Sequence, residues 1–132
     1  MLGYSISDHI SAEMVSLAID GAVAARGGGC RDTILHPDRG GEFTAHLTAQ
    51  ACSRHGLRRS MGATGVCWDN SPAESFWSTF NHEEYYRHVY ATKAELVAAM
   101  DKWIRFYNSG RRHSSIGMLS PDAYETSLSV AA

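Results

Sequence analysis

The sequence predicts an α/β fold, and three observations carry that expectation. Two short strand-like runs, residues 33–36 and 57–61, are separated by stretches with helical spacing of apolar side chains. Helix-starting signatures stand ahead of those stretches, and glycines close them. The elements then follow in the order β-α-β-α-β-α-α-α, with no internal repeat.

Gly3-Tyr4-Ser5-Ile6-Ser7 reads as the tail of a first strand. Asp8 or Ser11 then caps an amphipathic helix with Met14, Leu17, Ala18, Ala22 and Ala25 on one side. Gly27-Gly28-Gly29 ends it, because glycine accepts the left-handed backbone a helix terminus needs. Residues 33–36 form the next strand, and Pro37, which has no N–H to donate, stops its ladder. Thr44 is expected to cap a helix through Leu47, Ala51 and Cys52, closed by Gly56, before the strand at 57–61. The aperiodic, glycine-containing residues 62–69 are expected to be a mobile loop.

Ser71-Pro72-Ala73-Glu74 has a capping serine, proline at the first helical position and glutamate at the third, so a helix should run from there to about residue 86. Thr92-Lys93-Ala94-Glu95 repeats the capping pattern ahead of Leu96, Ala99, Met100, Trp103, Ile104 and Tyr107, a stripe that reads as core. Asn108-Ser109-Gly110 ends that helix, and Ser120-Pro121 starts a last short one. The expected organisation is one domain over residues 1–126 and a disordered tail over 127–132.

Bulk properties narrow the function. The 132 residues are 44% hydrophobic, which suits a folded chain rather than a disordered one. Net charge is −2, so no overall field draws the chain to nucleic acid. Positive charge is nevertheless clustered at Arg54, His55, Arg58 and Arg59, and again at Arg105, Arg111, Arg112 and His113. Three cysteines without regular spacing argue against a disulfide framework. Met1-Leu2-Gly3-Tyr4-Ser5 lacks the basic start and apolar run of a signal peptide, and no stretch approaches a membrane span, so a cytoplasmic protein is expected.

Two carboxylates carry the chemistry. Asp38 follows a strand in His36-Pro37-Asp38-Arg39-Gly40-Gly41-Glu42, where α/β sheets place ligand-binding groups. It is equally well placed as an ordinary turn residue. Glu74 opens a helix in Asp69-Asn70-Ser71-Pro72-Ala73-Glu74-Ser75-Phe76, where a glutamate serves either as the reciprocal cap of the helix or as a catalytic acid. Glu42 ranks third. Carboxylates that share a divalent cation are the core of metal-assisted phosphodiester chemistry.

His-x-Asp-Arg-Gly, thirty-five residues, then Asp-Asn-x-x-Ala-Glu-Ser-Phe resembles the retroviral-integrase-like catalytic core of bacterial insertion-sequence transposases. Tyr107-Asn108-Ser109-Gly110-Arg111-Arg112-His113-Ser114-Ser115-Ile116-Gly117, followed by Leu119-Ser120-Pro121, resembles the same family's carboxyl-terminal signature. The resemblance implies a ribonuclease-H-like catalytic core that cuts and transfers DNA strands in transposition, using three acids and Mg²⁺ or Mn²⁺. By that resemblance Asp38 and Glu74 are the second and third acids, catalytic and metal-binding. Arg39, Asn70, Asn81, Arg111 and His113 become candidate contacts to transposon-end and target DNA.

The match also departs from the family. The first acid should lie on a strand upstream of Gly3-Tyr4-Ser5, and neither Asp8 nor Asp20 sits mid-strand. The expectation is an incomplete core whose first strands are missing: a truncated fragment with weakened metal binding and no activity alone. Position 81, where the family commonly has a basic residue, holds Asn81. An alternative is a regulatory fragment that self-associates, or that binds full-length transposase or transposon DNA through an unpaired strand edge. A zinc module using Cys30, His36, Cys52, His55 and Cys67 is a weaker reading, because only Cys52-x-x-His55 has ligand spacing.

Overall fold

The structure, a computed structural model, describes residues 1–61 and 71–130. The expected loop at 62–69, with Cys67 and Asp69, and the candidate Asn70 lie outside the described residues. Where the sequence reads one domain over residues 1–126, the chain divides into two compact units, Leu2–Phe76 and Trp77–Ala132 with Met1. Each unit is built around its own apolar helix faces.

In the first unit, α1 spans Ala12–Ala25. Ser11 caps it from an extended backbone, its Oγ accepting from Met14 N at 3.3 Å. At the other end Gly27 and Gly28 have positive φ, and their N–H groups donate to Ala24 O and Val23 O, which satisfies carbonyls the helix cannot. The buried row is Val15, Ser16, Ile19 and Val23, not the expected Met14, Leu17, Ala18, Ala22 and Ala25, and Leu17 is 62% exposed. The β-branched residues at four-residue spacing face the core, each stabilising the unit by up to about 1.5–3 kcal/mol. The small residues Ala18 and Ala22 serve a different neighbour. A Cβ at Gly3 would stand 2.4 Å from Ala22 N and 2.5 Å from Ala18 O. Gly3 therefore lies against α1, and residues 3–7 form no strand, contrary to expectation.

Strand β1, Ile34–Leu35, pairs in parallel with β2, Arg58–Arg59, with Ile34 opposite Arg58. Two helices, α2 (Gly41–Thr44) and α3 (His46–Arg54), connect them as a β-α-β unit. Thr44 is not the expected cap of the longer helix. Its hydroxyl donates to Gly41 O within α2, and α3 starts from Ala45 with no side-chain cap. The Thr48 hydroxyl, fully buried, donates to Glu42 O at 2.6 Å and ties the two helices together. Val15, Ile19, Val23, Cys30, Ala51 and Cys52 form the core, flanked by Leu35, Phe43 and Leu57. At its edge Asp20 of α1 accepts from His55 Nε2 at 2.6 Å and Arg54 at 2.9 Å, and these partners hold its carboxyl below the usual range.

Helix α4 spans Ser71–Glu83, shorter than expected, and a 3₁₀ turn at Tyr85–Arg87 follows. In the second unit α4 buries Phe80, whose ring meets Trp103 edge-on at 5.1 Å. Helix α5, Lys93–Ser109, carries Met100, Trp103 and Ile104 as its buried row, within the stripe the sequence predicts. Thr92 caps it by accepting from Glu95 N, and Glu95 reaches back to Ala91 N at 2.8 Å. Helix α6 spans Pro121–Val130, so helical order continues past residue 126, where a disordered tail was expected. Ser120 caps it at Ala123 N, and Thr126, Ser127 and Ser129 satisfy carbonyls of its exposed last turns. Among the described residues no helix is long and apolar enough to cross a membrane.

Candidate functional site

Asp38 stands three residues beyond β1, after the buried Pro37, with its own side chain exposed. Its Oδ1 accepts from Gly40 N at 2.9 Å, the Asx turn that a Pro-Asp-x-Gly sequence favours. The turn occupies one oxygen and presents the carboxylate at the carboxyl end of a parallel strand. Across the strands His36 Nδ1 lies 3.1 Å from Ser60 Oγ. Glu42 folds back over the same turn, since a Cβ at Gly40 would stand 2.7 Å from its Oε1. Arg39 is exposed beside it.

Glu74 lies in the first turn of α4 and is exposed. Ser71 is itself the first residue of that helix, and Glu74 makes no hydrogen bond to its N–H. The reciprocal capping that the sequence allowed is thus not formed between these two residues.

Asp38 and Glu74 fit a hard divalent cation in kind, because both are carboxylates. They do not fit it in number. Among the described residues no group of three or more His, Cys, Asp or Glu side chains gathers to hold a metal ion. Asp20, the acid of α1, is already bound by His55 and Arg54. The zinc reading meets the same obstacle: His55 is engaged with Asp20, Cys30 and Cys52 are buried free thiols, and burial pushes the Cys52 thiol up.

The carboxyl-terminal motif is organised differently. Arg111 donates from Nε and Nη2 to Glu83 at 2.8–3.1 Å, a bidentate pair, and its guanidinium carbon lies 5.8 Å from the Tyr107 ring centre. That guanidinium holds the Glu83 carboxyl below its usual range. Trp103 Nε1 donates to the same carboxylate at 3.3 Å. His113 Nδ1 lies 3.3 Å from Arg111 Nη1, which can only donate, so the imidazole proton belongs on Nε2. Nε2 is buried without a hydrogen-bond partner, and the ring stands edge-on to Tyr107 at 4.7 Å. His113 also pairs with Leu119 across a tight turn that Gly117 closes at φ 67°. Asn108 donates to Met1 O and accepts from the Met1 amino group. Glu83 escaped the sequence reading, because it lies twenty-eight positions from its partner and no local spacing signals the pair. Asn81 is half-buried on α4.

A parallel β-α-β unit with a carboxylate turn after its first strand, followed by a helix opening on a second carboxylate, defines an α/β domain that presents acids at its strand and helix ends. The model of the integrase core domain matches residues 55–121, and the chain belongs to that family. It is 33% identical over 126 residues to the transposase InsF for insertion sequence IS3A of Escherichia coli K12, covering 95% of this chain and 43% of that protein. It is 37% identical over 92 residues to an uncharacterized 31 kDa protein of insertion element IS600 from Shigella sonnei, covering 69% of this chain and 34% of that one. The chain thus spans less than half the length of these curated relatives.

Proposed function

We propose that this chain is a transposase catalytic-core fragment of ribonuclease-H-like type that contributes Asp38 and Glu74, the second and third acids, to DNA strand cleavage and transfer. The observation that carries the reading is the placement of these two acids. Both are exposed, one in a turn at the carboxyl end of β1 and the other in the first turn of α4, and the family match includes Glu74. Mg²⁺ or Mn²⁺ bound by these carboxylates would supply Lewis-acid activation at the phosphodiester. With two carboxylates where the chemistry uses three, the chain alone is inactive and holds the ion weakly. Transposon ends and target DNA are its substrates in this reading, and the cytoplasm, where free thiols such as Cys30 and Cys52 persist, is its compartment.

Mn²⁺ titration followed by electron paramagnetic resonance tests the assignment. Weak binding that disappears in both Asp38→Asn and Glu74→Gln is expected. Equal affinity in the wild type and in both variants would remove these residues from the site. Mg²⁺-dependent nicking by the isolated chain would overturn its inactivity.

A second reading, a regulatory fragment that pairs with full-length transposase or with itself, is favoured by one observation. The described sheet has two strands, and Ile34 on β1 is 56% exposed, an edge of the kind that accepts another strand. Co-purification with an intact transposase supports it, and failure to associate removes it.

A further inference from the structure

The end of α4 carries a surface that the acids and the carboxyl-terminal motif do not use. His82 Nδ1 donates to Ser78 O at 2.8 Å, which fixes the ring on the helix. The Tyr86 ring stands edge-on to it at 5.6 Å and 87°, and Tyr86 is 67% exposed. Tyr86 is not a loose side chain. It leans on Tyr85 at 5.7 Å, which in turn contacts the buried Phe80 at 6.5 Å and stacks on Tyr90 at 6.1 Å. A line of rings thus runs from the core to the surface and holds the outermost ring in place.

Arg87 follows directly. Its Nε donates to His82 O at 2.8 Å, which anchors the guanidinium beside the Tyr86 platform. Its terminal amino groups have no hydrogen-bond partner among the described residues. The neighbouring carboxylates are both engaged. Glu83 is bound by Arg111, while Glu84 accepts from Tyr90 Oη at 3.0 Å and lies 3.2 Å from His88 Nδ1. In a chain of net charge −2, this leaves an aromatic face beside an anchored cation whose nearby carboxylate, Glu83, feels its charge but is hydrogen-bonded to Arg111.

We propose that His82, Tyr86 and Arg87 form a binding site for one unpaired nucleotide of a DNA strand, its base stacked on Tyr86 and the adjacent phosphate held by Arg87. Stacking needs a base whose face is free, so a single strand is the ligand that fits, and duplex DNA offers only its edges. The site rests on the reading that this chain handles DNA, and it supplies the cationic contact that Asn81 cannot.

Fluorescence anisotropy of the full chain with a labelled single-stranded oligothymidylate, and with the corresponding duplex, tests it. Tyr86→Ala should weaken single-strand binding by about fivefold to a hundredfold, and Tyr86→Phe should stay within about twofold of wild type. Arg87→Ala should lower the slope of log affinity against log salt by about 0.7. Circular dichroism of each variant separates a lost contact from a lost fold, which an exposed ring does not threaten. Single-strand affinity unchanged in Tyr86→Ala would overturn this site and leave the transposase reading standing. Duplex binding tighter than single-strand binding, with the same dependence on Tyr86, would overturn the choice of ligand. No DNA binding by the wild-type chain would overturn both.

Discussion

The two units treat their motif residues in opposite ways. In the first, Asp38 and Glu74 are exposed: Asp38 has one hydrogen bond within its own turn, and Glu74 forms none with the described residues. In the second, Arg111 and His113 are consumed by the protein itself through Glu83, Tyr107 and Leu119. Membership of a motif therefore does not separate chemistry from architecture. Saturation of hydrogen bonds does: a side chain whose polar atoms are already satisfied inside its unit has little left for a ligand. On this ground Arg111, first read as a DNA contact, is better understood as a tie that fixes the turn after α5; His113 keeps its buried Nε2 without a partner, and Arg112 is exposed.

The largest effect that sharpens this comparison comes from Arg111→Ala. It strips a half-buried carboxylate of its bidentate partner and the Tyr107 ring of its cation. A loss of about 1.5–3 kcal/mol is expected, the range for hydrogen bonds to charged groups. Urea denaturation measures it, and a double-mutant cycle with Glu83→Gln should show strong coupling. A loss below about 0.5 kcal/mol, typical of an unremarkable surface change, would return Arg111 to the list of candidate DNA contacts.

Much of this was legible in the sequence, for reasons that differ by element. Helix α5 was clear because Met100, Trp103 and Ile104 fall on one face and Thr92-x-x-Glu95 marks its start. The turn at Asp38 was clear because Pro-Asp-x-Gly encodes it locally. Helix α1 was found, yet its buried face was misassigned: in an alanine-rich helix, Leu17 and Met14 compete with the Val15-Ile19-Val23 row, and only tertiary packing chooses between them. The packing of Gly3 on α1 was hidden, because nothing local says that this glycine must let two backbones approach. Glu83 was hidden for the same reason, since its partner is distant in sequence.

A smaller effect concerns pH. The Glu83 carboxyl has a folded pKa below its usual value of 4.5, because Arg111 hydrogen-bonds the charged form. A depressed carboxylate contributes stability that is fully present above the unfolded value and is lost as pH falls through the folded one. Arg111 stays protonated throughout and adds no titration of its own in this window. Thermal unfolding should therefore show the wild type losing stability on acidification below about pH 4.5, while Glu83→Gln loses less over the same interval. Identical acid profiles for the two proteins would show that the pair contributes nothing to the second unit.

The smallest expected effect is the most informative about the first unit. Asp38→Asn keeps an oxygen for the Gly40 N–H, so the turn after β1 survives the substitution. Glu74→Gln removes charge from an exposed side chain that bonds no described neighbour, at the cost only of a weak favourable interaction with the amino end of α4. Both should change unfolding free energy by about 0.5 kcal/mol or less in urea melts. Small effects in both variants would show that neither carboxylate is needed by the fold. If Asp38→Asn instead destabilised the chain as much as Arg111→Ala, Asp38 would be a turn-forming residue and the contrast between the two units would dissolve.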